Sequence, residues 1–132
     1  MNSPHSSSLH SRSDTEAVAA VEAVVRDYIE GWYAGDVQRL DRSLHADLAK
    51  RTPTNGDSAQ EGQLRMVTRT RMLELTSGGG GKGSEGDVEV VINDVCRDIA
   101  AARVLSRDYL DYLHLVKTRE GWKIANVLFR TF

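Results

Sequence analysis

The stretch from Tyr109 to Thr131 constrains the fold more than any other part of the chain. Two runs, Tyr109 to Lys117 and Trp122 to Thr131, flank Glu120-Gly121 and read as an antiparallel hairpin. A two-residue turn there pairs Arg119 with Trp122 and sets Asp111 opposite Arg130. In that register one face carries Tyr109, Asp111, Leu113 and Leu115 beside Trp122, Ile124, Asn126, Leu128 and Arg130. The other carries Leu110, Tyr112, His114 and Val116 beside Ala125, Val127 and Phe129. Both faces are largely apolar, whereas a sheet with one wet face alternates apolar with polar residues. Two covers are therefore needed. Helices from the same chain can supply one, and a second copy of the chain is the economical other.

The helices come first in sequence. Ser13 and Glu16 have capping-box spacing, and Val18, Val21, Val24, Val25, Tyr28, Ile29 and Trp32 follow as one apolar stripe. Gly35 can end this helix in the left-handed conformation and Asp36 can cap the next, in which Val37, Leu40 and Leu44 face in while Arg39, Asp41 and Arg42 face water. A short strand is expected from about Leu48 to Pro53, then a turn at Asn55-Gly56, a loop, and a third helix from Thr68 to Leu75 with Met72 and Leu75 inward. The run Gly78 to Gly83 is expected to be a flexible linker. It is no phosphate loop, since Lys82 precedes Gly83 instead of Ser or Thr. Val88 to Asn93 and Ile99 to Leu105 read as two more strands, turning near Cys96 to Asp98. Residues 1–12, mostly Ser and His, are expected to form a disordered tail, with His5 and His10 as solvated spacers. The expected architecture is one α+β domain over residues 13–132, with N-terminal helices packed on a mostly antiparallel sheet.

At 132 residues the chain can bury a core without disulfides or metals. A net charge of -2 argues against nucleic acid and anionic membrane as partners. The single cysteine, Cys96, excludes an internal disulfide and suits a reducing cytoplasm. No apolar run approaches the roughly 18–20 residues of a membrane-spanning helix, and a signal-peptide pattern is not expected at the N-terminus. His45 and His114 lie in different elements without an acidic cluster, so no metal site is expected, and no cofactor.

Three stretches carry a resemblance: Tyr28 to Asp36, Leu44 to Arg51, and Asp111 to Leu115 continuing into Gly121 to Leu128. In that order they resemble the branch of the nuclear-transport-factor-2-like superfamily named for lumazine binding, related to polyketide cyclases and ketosteroid isomerase. The resemblance implies a cone-shaped fold, with helices packed into the concave face of a curved sheet, a pocket at the open end and dimers through the sheet. It does not fix function, because that fold hosts binders and enzymes alike.

Candidate site residues follow from position and chemistry. Asp111 sits mid-strand among apolar neighbours that can raise its pKa and make it a base, unless Arg130 pairs with it. His45 and Asp47, two apart in an extended segment, can form a base and its orienting carboxylate, or a helix-end cap and a solvated acid. Tyr28, Trp32 and Tyr33 can line a pocket mouth, or simply belong to the core face of their helix. Asn126 needs a partner or a ligand within its apolar strand. Lys50 and Arg51 can attract an anion, or sit on a solvated strand edge. His114 fits a dimer interface better than catalysis. The leading expectation is a pocket protein for a small, largely apolar ligand such as an aromatic. The alternatives are a cofactor-independent lyase, isomerase or cyclase using Asp111 and His45, and a dimeric accessory protein with a vestigial pocket.

Overall fold

Val21, Val25, Tyr28 and Ile29 recur at helical spacing and are at most 2% exposed, so helix α1 (Arg12–Ala34) is anchored by one buried stripe. The computed structural model describes residues 12–54 and 62–132, with side chains from Asp14 onward. Except for Arg12, already helical, the expected tail lies outside the described residues, as does the turn at Asn55-Gly56. Ser13 stands inside α1 instead of capping it.

Gly35, at φ +67°, reverses the chain, and Asp36 donates its N–H to the Gly31 carbonyl. The Asp36 side chain then caps α2 (Val37–Ser43) by accepting from the Arg39 N–H. Arg39 and Arg42 do not simply face water. Each makes a 2.9 Å ion pair with Asp27, and Arg39 another with Glu30, clamping α2 onto α1. Thr68 caps α3 (Arg69–Ser77) by accepting from the Arg71 N–H.

Six strands form one curved sheet in the order β2-β1-β6-β5-β4-β3. They are β1 (Leu44–Pro53), β2 (Leu64–Val67), β3 (Glu89–Cys96), β4 (Ile99–Leu105), β5 (Tyr109–Thr118) and β6 (Gly121–Thr131). The β1–β6 pairing is parallel and the others are antiparallel. Strand β2 was not foreseen in the sequence. It covers β1, so Lys50 lies inside the sheet and not on a solvated edge.

The register of the last hairpin corrects the expectation. Thr118 faces Gly121, so Arg119 and Glu120 make the turn, and a bulge at Ala125 separates the Leu115–Ile124 pair from the His114–Asn126 pair. One inserted residue inverts every side chain beyond it. Val127 and Phe129 therefore join Asp111, Leu113 and Leu115 on the buried face, while Asn126, Leu128 and Arg130 turn outward. Asp111 lies opposite Phe129, and Arg130 opposite Leu110.

The glycine run also departs from expectation. The N–H of Gly81 donates to the Trp32 carbonyl at 2.9 Å, so the run is a turn packed on the end of α1, not a linker. At Gly80, φ is +57° and a Cβ would fall on the Trp32 carbonyl oxygen. Only glycine satisfies both constraints.

Candidate functional site

Helices α1 and α3 rest on the concave face of the sheet without filling it. A cavity of about 180 Å³ remains between them. Tyr28, Ile29 and Trp32 enter it from α1, Met72 and Leu75 from α3, Lys50 from β1, Arg65 and Val67 from β2, and Tyr109, Asp111, Phe129 and Thr131 from β5 and β6. The walls are mostly aromatic or aliphatic. One end is polar.

At that end three buried side chains form a line. Lys50 Nζ donates to the Tyr28 hydroxyl at 2.6 Å, and that hydroxyl donates to Asp111 Oδ2 at 2.7 Å. Lys50 Nζ also lies 4.9 Å from the Tyr28 ring centre, 4.6 Å from that of Phe129 and 3.5 Å from Met72 Sδ. Asp111 Oδ1 is buried without a hydrogen-bond partner among the described residues. The arrangement is a lysine–carboxylate pair bridged by a phenol, with all three side chains buried.

Burial governs the charges. It raises the Asp111 carboxyl above the ordinary carboxylate range, against the Lys50 charge and the Tyr28 hydrogen bond. Burial lowers Lys50 from 10.5 to about 8, with the Asp111 charge opposing. The Tyr28 phenol is pushed well above its ordinary value by burial and then by the adjacent Asp111 charge, so it stays a hydroxyl.

Of the residues singled out in the sequence, Tyr28, Trp32, Lys50 and Asp111 meet at this cavity. Tyr33 is buried beside it, but its hydroxyl donates to Ser106 and Asp108 and accepts from the Asp108 N–H, which pins the β4–β5 turn. Arg51 and Asn126 lie on the outer face, where Asn126 Nδ2 is 3.3 Å from His114 Nδ1. His45 is not part of the lining. Its Nδ1 accepts the Asp47 N–H at 2.9 Å, and the Asp47 side chain is 93% exposed. The expected pairing of His45 with Asp111 is therefore not assembled. Tyr109 and Phe129 were missed as site residues, and Lys50 was weighed only as an anion-attracting group or a solvated edge residue. Alternation along β1 carried the signal for Lys50, which shares a face with Leu48 and Thr52. Among the described residues no group of three His, Cys, Asp or Glu is placed to hold a metal.

Helices over a curved, mostly antiparallel sheet, around a small lined cavity, define a cone-shaped pocket protein. The profile of the family described as "Putative lumazine-binding" matches residues 16–130, and the chain belongs to that family. No curated protein matches the sequence. Among solved structures, a nuclear-transport-factor-2-like protein of unknown function from Silicibacter pomeroyi is 21% identical with a TM-score of 0.70, over 90% of this chain and 98% of that one. A second protein so described, from Shewanella baltica, is 14% identical with a TM-score of 0.67, over 89% and 95%. The LinA-type3 hexachlorocyclohexane dehydrochlorinase of Novosphingobium barchaimii is 13% identical with a TM-score of 0.57, over 89% and 88%. These likenesses concern the fold.

Proposed function

We propose that the protein binds a small, largely apolar molecule, about one aromatic ring in size, with a polar group directed at Lys50 and Tyr28. The apolar cavity with one polar end carries this reading. Its volume of about 180 Å³ is close to the ~150 Å³ of an engineered cavity that takes up benzene. It falls below the ~300–1,000 Å³ of sites for drug-sized ligands. Simple phenols and benzyl alcohols should bind one per chain, raise Tm and perturb Trp32 fluorescence. Leu75 stands at the rim, 38% exposed, and Leu75→Trp should fill the opening and abolish binding while the fold survives. Equal binding by both proteins would sink the reading.

A second reading, a cofactor-independent lyase, isomerase or cyclase, draws support from the buried Asp111 with its raised pKa and unpartnered oxygen. His45 has no part in it. A vestigial pocket is disfavoured because the protein's own side chains leave the cavity open. The proposal includes a homodimer through the outer sheet face, where Tyr112 and Leu128 are 54% and 44% exposed. It also includes a cytoplasmic location, supported by the lone exposed thiol of Cys96. Nucleic acid and membrane are not proposed as partners. The net charge of -2 favours neither, and among the described residues no helix is long and apolar enough to cross a membrane.

A further inference from the structure

We propose that Lys50 is a nucleophile toward small aldehydes and ketones, and that it forms a protonated imine inside the cavity. This rests on the cavity reading above and names the class of compound that the site would take.

Lysines normally extend their ammonium group to water. Lys50 does not: it is 6% exposed, and Nζ ends inside the apolar chamber between the Tyr28 and Phe129 rings. It touches the Tyr28 hydroxyl and Met72 Sδ, and reaches the Asp111 carboxylate through that hydroxyl. A lysine buried only to neutralise an acid would bond it directly. This one is held at one remove, with an empty space beside it that suits a ring bearing a carbonyl. Burial also weakens its hold on its proton, bringing it to about 8, so free amine is available near neutral pH. The other titratable groups on the wall are the Asp111 carboxyl, the Tyr28 and Tyr109 phenols and the Arg65 guanidinium. Of these, Asp111 raises the Lys50 pKa.

The chemistry balances without a further reagent. The free amine attacks the carbonyl carbon and a C–N bond forms. The proton released from nitrogen passes to the carbonyl oxygen, and the Tyr28 hydroxyl is placed to carry it. The carbinolamine then takes up one more proton and loses water, which breaks the C–O bond. From ammonium and carbonyl the products are iminium and water, so the positive charge is conserved. Asp111 balances the iminium after the reaction as it balanced the ammonium before it, and the proton that the ammonium gives up is matched by the one that the carbinolamine takes up.

The test is reductive trapping of the full chain with benzaldehyde and cyanoborohydride, with peptide mapping of the adducts. Lys50 should gain one benzyl group about tenfold faster than Lys82, Lys117 and Lys123 at neutral pH, because burial beside the cavity enlarges its free-amine fraction. Its rate should rise with a midpoint near pH 8, and excess benzyl alcohol should block it. The chain's α-amino group also reacts, and mapping separates it. Labelling spread over the other amines with Lys50 untouched would overturn the proposal. If benzyl alcohol still raised Tm in that case, the cavity reading would stand. Failure of benzyl alcohol to bind removes the cavity reading, and this proposal with it. Lys50→Met should lose the adduct, but the wild-type measurement decides alone.

Discussion

Among the described residues Asp111 has a partner on one oxygen and none on the other, and its link to Lys50 runs through a phenol. Its charge and that of Lys50 therefore depend on each other. With Lys50 lowered to about 8 in the fold, the unfolded chain binds more protons from there to about 10.5, and stability rises with pH across that window. Asp111, raised in the fold, has the opposite effect at acid pH. The folded state holds its proton longer, so stability falls as pH rises through its raised value. Asp111→Asn keeps the shape and removes the counter-charge. The Lys50 pKa should then drop below its present value, and the variant should lose about 3 kcal/mol near pH 6, where the ammonium would be stranded. The loss should shrink toward pH 9, as Lys50 gives up its proton in either protein. Denaturant titrations across that range would check this, and a loss independent of pH would mean that the two groups are not coupled.

Elements show where the sequence was legible and where it was not. The stripe on α1, the cap at Asp36 and the strand at Ile99–Leu105 could be read because each is written in local periodicity or turn chemistry. The bulge at Ala125 could not, since nothing in Trp122 to Leu128 marks where one residue is skipped. It moved Phe129 into the cavity and separated Arg130 from Asp111. Strand β2 was too short to declare itself, and without it a solvated edge explained Lys50 as well as an anion site did. Asp111 stood out because a lone carboxylate mid-strand is visible in any register. The glycine run misled for a related reason: composition suggests freedom, while the requirement for glycine comes from Trp32, far away in sequence. That requirement can be measured. Gly80→Ala would force a left-handed alanine and a backbone clash, and should cost roughly 2–3 kcal/mol. Gly78→Ala, at φ −78° with no Cβ contact closer than 3.5 Å, should be close to neutral. Equal effects in thermal melts would show that the turn does not pack on α1.

At the scale of the whole molecule, the bulge divides the last hairpin into two tasks. The inner face of β5 and β6 closes the cavity and leaves the outer face to be covered by something else. On that face Tyr112 lies directly opposite Leu128, and the row continues to Arg103 on one side and Arg51 on the other. An apolar centre with charged flanks has the anatomy of a protein interface, and Ile99, 59% exposed, extends it along β4. A second copy related by a two-fold axis would set these apolar centres against each other. Light scattering at micromolar concentration should then give twice the 14.6 kDa chain mass. Leu128→Lys should give monomers, since it would bury unpaired ammonium groups at the interface. Those monomers should still bind ring compounds, because Leu128 is not part of the cavity lining. Phe129→Lys should do the reverse: it would place a second cation beside Lys50, damage the cavity and leave the outer face intact. A wild-type chain that runs as a monomer would refute the dimer. If Phe129→Lys, not Leu128→Lys, split a dimer, the assignment of the two faces would be wrong.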